Sequence, residues 1–408
     1  MTYPVKAVAL ALLLLPCAVG ATPLSLDAAL DKVARTHPQV AQREADVRAA
    51  ASDVASARWG RYPSLSAEST RLDAGGVQTT VRVQQPLWTG GRITAQIDTA
   101  ERTQAAAVEA VALTRQELQL ATVAAFAEQW RAEMRQRAAH ANVSEHERLY
   151  DMIQRRVVSE VSPRSDATLA AARLQQARTE LIQAGALLDS AHASLTQLVG
   201  EDDFTLQPPA RLPPLSLSQA EAVRMAVARS PELSLLQARI DAATAQVGVN
   251  RASLLPQLVI GHDQRMGSLL PGQARDFTYV ALQYQPGAGL SAATAMQAAV
   301  ARAEGARDAL AVARRQLEQQ VATDWSQAMA LREQLPASAE LVGATREVVD
   351  SYIRQYTVGR KSWLDVLNAQ RELTQALYGQ ADARAGALLS TLRVLIASGV
   401  QAAAAGTE

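Results

Sequence analysis

The feature that most constrains this chain is a duplication whose two copies each contain a helix-forming stretch of about 65 residues without a break. The first half opens with Leu24-Ser25-Leu26, Ala29-Leu30 and His37-Pro38. The second opens in the same register with Leu217-Ser218, Ala222-Val223 and Ser230-Pro231, offset by 193 residues. At that offset Arg58 falls on Arg251, and Tyr62-Pro63-Ser64-Leu65 falls on Leu255-Pro256-Gln257-Leu258. Further on, Gln84-Gln85-Pro86 answers to Gln283-Tyr284-Gln285-Pro286, and Asp166 meets Asp365 at an offset of 199. The repeats are 22–200 and 215–400, joined by a Pro- and acid-rich linker at 201–214.

Each half reads as the same series of elements. A helix of about 30 residues (about 26–58 and 219–252) comes first. Two short alternating segments follow, at about 64–72 and 77–86, then at about 257–265 and 277–285, bracketed by the breakers Pro63, Pro86, Pro256 and Pro286. The long helices are expected at about 92–158 and 290–357, and last helices at about 164–199 and 362–398. At 1.5 Å per residue the long ones reach roughly 100 Å, more than a globular domain accommodates. Aromatic residues are only 4 % of the chain, which suits close-packed, Ala-rich helices better than a ring-filled core. Val111, Leu118 and Ala125 recur every seven residues with Thr114 and Ala121 beside them. That seam predicts coiled-coil contact, with each helix touching several neighbours.

The first 21 residues read as a cleaved export signal: Lys6, an apolar run Ala7–Leu15, Pro16, then Ala18-Val19-Gly20-Ala21. The run is too short for a spanning helix, which needs roughly 20 residues. Cys17 follows Pro16 rather than a small residue, so lipid attachment is not expected, and the mature chain has no thiol. The Ala-rich tail at 401–408 is expected to be disordered. The full chain carries 40 Lys and Arg against 40 Asp and Glu, and loss of Lys6 leaves 39 against 40. No basic excess points to nucleic acid.

Val77, Thr79, Val81 and Val83 alternate with Gln78, Thr80, Arg82 and Gln84, the pattern of a strand with one wet and one oily side. Asp73-Ala74-Gly75-Gly76 supplies turn chemistry before it. In the second half Val280, Leu282 and Tyr284 alternate with Tyr279, Ala281 and Gln283. Four strands cannot close a barrel in lipid, so either the hairpins sit in water or several chains pool their strands. Trp88, Tyr279 and Tyr284 stand near strand ends, where an interfacial aromatic girdle or core packing would place them. His37, His140, His146, His192 and His262 lack metal-ligand spacing, and no nucleophile–base pair supports an enzyme or a cofactor. Gly90-Gly91 lacks the Lys-Ser/Thr of a phosphate loop and reads as a strand-to-helix bend.

The segment Tyr356-Thr357-Val358-Gly359-Arg360-Lys361-Ser362-Trp363-Leu364-Asp365-Val366-Leu367-Asn368-Ala369-Gln370-Arg371-Glu372-Leu373 resembles the second-half helix break of TolC-family outer-membrane channels. Gln85-Pro86-Leu87-Trp88-Thr89-Gly90-Gly91-Arg92 and the paired Leu-Ser-Leu…Pro openings resemble the same family, and the likeness runs over 22–400. It implies a mainly α protein with a membrane β-barrel portion. In that arrangement a homotrimer gives four strands per chain to one twelve-stranded barrel, continued by an α-helical barrel through the periplasm. It also implies a periplasmic adaptor and an inner-membrane transporter as partners, and contact with outer-membrane lipid. Gly359 permits the turn, and Asp365 suits the start of the next helix. Carried over position by position, Asp166, Tyr356 and Lys361 match a latch at the periplasmic tip, and Asp365 matches an acidic ring at the constriction. Asn368 stands where a second carboxylate is often found.

The wording from Gly359 to Leu373 leans toward type I secretion of a protein such as an adhesin, as does the missing lipid site. Small-molecule or multidrug efflux is the alternative within the family. From another class, a periplasmic coiled-coil scaffold or adaptor without a channel would suit the helical hairpins, but leaves the duplicated strand pairs unexplained.

Overall fold

The computed structural model describes residues 22–72 and 76–400. The expected export signal at 1–21, the Asp73-Ala74-Gly75 part of the first turn and the tail at 401–408 lie outside the described residues.

The first half runs β1 (Thr22–Ser25), α1 (Leu26–Thr36), α2 (Pro38–Trp59), β2 (Ser64–Arg71), β3 (Val77–Trp88), α3 (Arg92–Val158) and α4 (Arg164–Val199). After β4 (Phe204–Gln207), the second half repeats the series as α5 (Gln219–Arg229), α6 (Pro231–Ala252), β5 (Gln257–Gly267), β6 (Asp276–Gln283), α7 (Ser291–Thr357) and α8 (Trp363–Ala397). A single 3₁₀ turn, Ala288–Leu290, precedes α7.

The opening helix of each half, expected as one, is two. Pro38 and Pro231 have no N–H to donate and force the residue before them out of the helical region. His37 and Ser230 are accordingly extended, at ψ 130° and 117°. Each then caps the helix beyond, His37 Nδ1 accepting from Gln39 N at 3.3 Å and Ser230 Oγ from Leu233 N at 3.3 Å. Pro336, by contrast, sits inside α7 without ending it. The 67-residue α3 and α7 each extend for roughly 100 Å.

The helices form a layer four columns wide. Both α2 and α4 lie against α3, α6 and α8 lie between α3 and α7, and α7 is the far edge. The coiled-coil seam is real at Val111, Thr114 and Leu118, all buried, but Ala121 faces out and Thr122, Val123 and Phe126 take over. They belong to a mid-height core with Leu24, Leu26, Val33, Leu195, Phe204, Leu388 and Leu392. Part of the linker is structured there, since β4 pairs in parallel with β1.

At one end of this layer stands an antiparallel sheet in the order β2-β3-β5-β6. Its register sorts the side chains by polarity, because residues opposite one another share a face. Ser66, Arg82, Asp263 and Phe277 are aligned across the four strands, as are Ser64, Gln84, Gly261 and Tyr279. On that face Arg82 and Asp263 form a two-pronged ion pair at 2.8 and 3.0 Å, bonding the first half to the second. A Cβ on Gly261 would come within 2.4 Å of the Tyr279 ring, so glycine there makes room for the tyrosine. Tyr279 therefore belongs to the wet face and is no part of an outer girdle. The other face carries Leu65, Val81, Val83, Ile260, Val280 and Leu282, with Gln85 and the hydrogen-bonded His262 and Thr278 among them. Val280 and Leu282 are 63 % and 68 % exposed. Trp88 and Tyr284 are also exposed, near the helix end of the sheet, with Trp59 at the end of α2 and Tyr62 in the loop that enters β2.

Among the described residues, each of β2 and β6 is paired along one side only. The apolar face fits hydrocarbon, where an arginine costs about 2–4 kcal/mol at mid-depth while the opposite face tolerates it. Val280→Arg is therefore expected to lower the membrane-integrated fraction of the protein sharply, and Gln84→Arg to leave it near the parental level, as read by carbonate extraction of membranes.

Candidate functional site at the helical tip

At the end of the layer away from the sheet, α3 turns into α4 through 159–163 and α7 into α8 through 358–362. Both turns close in the same way. Val161 N donates to Arg156 O at 2.8 Å, and Arg360 N donates to Gln355 O at 2.9 Å, the six-residue closure of a Schellman cap. Such a cap needs one left-handed residue. In the second half it is Gly359 at φ 76°, with open space around it, so the backbone conformation alone asks for glycine. The first half places Glu160 at the equivalent position, at φ 55°.

Beyond the turns, α8 begins with a capping box. Ser362 Oγ accepts from Asp365 N at 3.2 Å, and an Asp365 carboxylate oxygen accepts from Ser362 N at 3.0 Å and from Ser362 Oγ at 2.8 Å. These bonds hold the Asp365 carboxyl below the usual carboxylate range, and Lys361 adds a smaller pull the same way. Asp365 is thus a helix-start residue with its charge at the tip. Asp166 occupies the first turn of α4, half-buried, with Pro163 rather than a capping side chain before it.

Tyr356 is buried, and it ties the two turns together within one chain. Its ring packs on Trp363 at 5.5 Å between centroids, and its hydroxyl lies 3.2 Å from Ser162 Oγ. Arg156 stands over the same ring at 4.9 Å and donates to Ser162 Oγ at 3.3 Å and to Thr357 O at 3.4 Å. Around this node Leu149, Ile153, Ala170, Trp363, Val366 and Leu367 form an apolar plug that fuses both hairpin ends. Lys361 lies over the Tyr352 ring at 4.3 Å, so within the chain it turns to its own α7 rather than to Asp166. Asn368 is half-buried one turn above Asp365, at the edge of a cleft with Asn142, His146, Arg173 and Arg371. Burial pushes the His146 imidazole below its usual range.

Of the residues singled out from the sequence, the structure brings Tyr356, Gly359, Lys361 and Asp365 into one tip. Pro63, Gly90, Gly91, Pro256 and Pro286 mark the boundary between sheet and helices at the other end, whereas Pro86 lies inside β3, paired with Val259 at a register irregularity. There Gly91 is left-handed at φ 86° at the start of α3, and a Cβ on Gly90 would meet Leu255 at 2.7 Å. Sequence reasoning missed Arg156, Ser162 and Glu160. The 199-residue offset would have flagged Glu160 as the counterpart of Gly359, but Arg156 carries no local signal.

The chain matches a family described as Outer membrane efflux protein over residues 29–201 and 222–399. It is 26 % identical over 370 residues to the "Cobalt-zinc-cadmium resistance protein CzcC" of Cupriavidus metallidurans, covering 88 % of this chain and 85 % of that one. Among solved structures it is similar to a membrane protein from Pseudomonas aeruginosa, with a TM-score of 0.79, 20 % identity and 92 % of each chain covered. It is also similar to the outer membrane protein VceC of Vibrio cholerae, with a TM-score of 0.76, 17 % identity, and 92 % of this chain and 96 % of that one covered.

A left-handed residue with a side chain costs about 1–2 kcal/mol relative to glycine. Gly359→Ala is expected to raise hydrogen exchange of the amides in the α7–α8 turn about 5- to 30-fold, and Glu160→Gly to slow it in the α3–α4 turn.

Proposed function

The chain belongs to the outer membrane efflux protein family, and from that premise we propose that it is one protomer of a homotrimeric exit duct, gated at its periplasmic tip. It is a channel protein of the outer membrane that extends into the periplasm, and it is not an enzyme. The observation that carries the reading is the four-stranded sheet with one wet and one oily face and an unpaired strand at each edge. Three copies joined edge to edge give a twelve-stranded barrel, lipid outside and water within, with no raw backbone left in hydrocarbon. The helical layer beneath closes in step into a twelve-column tube. A periplasmic adaptor and an inner-membrane transporter deliver cargo to its tip.

The gate in this reading is a set of links between neighbouring chains at the tip. Lys361 sits at the α7–α8 turn, at one edge of the layer, and Asp166 on α4, at the other, so ring closure brings Lys361 of one chain toward Asp166 of the next. A surface pair of this kind contributes only about 0–1 kcal/mol, weak enough for an adaptor or transporter to break. Asp365 supplies one acidic ring at the constriction, with the neutral Asn368 above it.

The cargo we assign is an unfolded protein, such as an adhesin, exported by type I secretion. The run from Gly359 to Leu373 supports this by its wording, and Pro16 before Cys17 by the lack of a lipid site. Efflux of small solutes is the second reading, favoured by the relative named for cobalt–zinc–cadmium resistance, which matches over most of both chains. A deletion strain separates them: loss of a large protein from the culture medium supports secretion, and lowered metal tolerance with an intact secretome supports efflux.

The duct and its gate are tested by single-channel conductance in planar bilayers. Small, flickering currents are expected from the parent protein and larger, longer openings from the Asp166→Ala/Lys361→Ala variant. Equal currents from both would remove the latch, and no current from either would remove the duct.

A further inference from the structure

We propose that the cleft over α3 near the tip, between Arg173 of α4 and Arg371 of α8, is a binding site for a small organic carboxylate. The site itself needs only one chain. Its opening into the lumen rests on the duct reading, which puts Asn368, on its rim, near the constriction.

Three helical stripes build the cleft. Asn142 and His146, one turn apart on α3, are its floor. Arg173, Gln176 and Glu180 follow one another a turn apart on α4, and Asn368, Arg371 and Tyr378 stand one and two turns apart on α8. Each set therefore shares one helix face. The space between them is about 230 Å³, below the roughly 300–1,000 Å³ of sites for drug-sized molecules. That suits a small solute rather than a segment of another protein.

Both walls run away from the tip, so the cleft has two different ends. Toward the tip stand Arg173, Arg371 and His146. Seven residues along each wall, roughly 10 Å away, stand Glu180 and Tyr378. Among the described residues neither arginine is in an ion pair. Arg173 donates to the Gln176 side chain at 2.9 Å, and that amide donates in turn to Glu180 at 3.1 Å. The positive end is thus left with two guanidiniums unanswered by any carboxylate, while Glu180 turns a second anion away from the far end.

The floor is polar and short of partners. His146 is only 8 % exposed, and among the described residues its ring makes no hydrogen bond. Burial pushes its imidazole below the usual range, with Glu145 opposing and Arg173 adding to the shift. The neutral ring keeps one N–H, and a buried donor without a partner is costly. Asn142 is buried too. Its Oδ1 accepts from Gln370 Nε2 at 3.1 Å and from Thr374 Oγ1 at 3.0 Å, which spends its acceptor and leaves its amide N–H groups as donors. A carboxylate answers all of these at once, because its planar pair of oxygens matches a guanidinium fork and accepts further N–H groups from below.

The duplication separates this chemistry from the shape that holds it. Adding 199 to Asn142, His146, Arg173, Gln176, Ala177 and Glu180 gives Leu341, Thr345, Glu372, Gln375, Ala376 and Gly379, and all six line a like cleft over α7. Hairpin packing is therefore enough to make a cleft. The contents differ: Arg173 answers to Glu372, His146 to Thr345, Asn142 to Leu341, and Arg371 to Ala172. A gap left by packing alone has no reason to collect one sign of charge. The first cleft has collected two guanidiniums, and no cation lines the second. A carboxylate gripped by both walls ties the first-half hairpin to the second just above the tip.

The test is calorimetric titration of the full-length, detergent-extracted protein with malate at fixed ionic strength. The parent is expected to bind saturably, one malate per chain. Arg371→Gln and Arg173→Gln are each expected to weaken binding roughly 10- to 100-fold, and Arg371→Lys to lose less. Gln380→Ala, in the cleft over α7, is expected to change nothing, and helix content by circular dichroism to stay parental throughout. The site is overturned if the parent shows no saturable binding, if both Arg→Gln variants bind as the parent does, or if inorganic phosphate binds as tightly as malate. In planar bilayers malate is expected to cut the current of the parent and not that of Arg371→Gln. Binding that leaves the parent's current unchanged overturns the opening into the lumen. Binding by a protein that forms no channel removes the duct and leaves the site standing.

Discussion

Backbone hydrogen bonding in hydrocarbon is the constraint on which the rest of the molecule depends. A strand that enters lipid must find partners on both sides, because no water is present to satisfy its N–H and C=O groups. This chain brings four strands to the membrane and leaves β2 and β6 each half-paired. Its polarity is arranged for lipid all the same, with Val81, Ile260, Val280 and Leu282 on one face and the Arg82–Asp263 pair on the other. A sheet so divided is stable in a membrane only as a segment of a closed cylinder. The helical layer has the same incompleteness at the same two edges, so one closure solves both.

The duplication explains how a single chain builds a segment of such a cylinder with two nearly equivalent halves, and how those halves have come to differ. Each half supplies a hairpin of strands, a short helix pair and a long helical hairpin. Where the halves meet inside the chain, contacts are specific and polar: Arg82 with Asp263 in the sheet, Asn142 with Gln370 and Thr374 in the helices, Arg156 with Tyr356 and Ser162 at the tip. At the tip the same divergence leaves Tyr356 buried inside the protomer, while Lys361 and Asp166 remain near the edges, available to a neighbour. In the gate we propose, each protomer's tip is held rigid and the yielding contacts fall between protomers.

Much of this was legible because periodicity and breakers survive without tertiary context. The long helices, expected at 92–158 and 290–357, are found at Arg92–Val158 and Ser291–Thr357, and the strand alternation around Val77–Val83 correctly separated the two faces of β3. The opening helices were misjudged because apolar spacing continues across Pro38 and Pro231, and the broken backbone lies only in the proline ring and its neighbour. The short β1–β4 pair was not seen, since a four-residue strand in a Pro-rich linker has too little pattern to register and takes its order from a partner about 180 residues away. Strand alternation puts Tyr279 on the face opposite Val280 and Leu282, and Gly261 on the neighbouring strand leaves its ring room there. At the tip, Gly359 and Asp365 announced themselves through turn and cap chemistry that is local. Arg156 did not, because its role depends on Tyr356 two hundred residues on.

The central claim is that the chain's open edges close against copies of itself in a ring of three. Native mass spectrometry of the detergent-extracted protein tests it most directly. The account predicts a single species with the mass of three chains. A species of one chain, or a pair that adds no third, would contradict it, because neither closes the sheet or the helical layer.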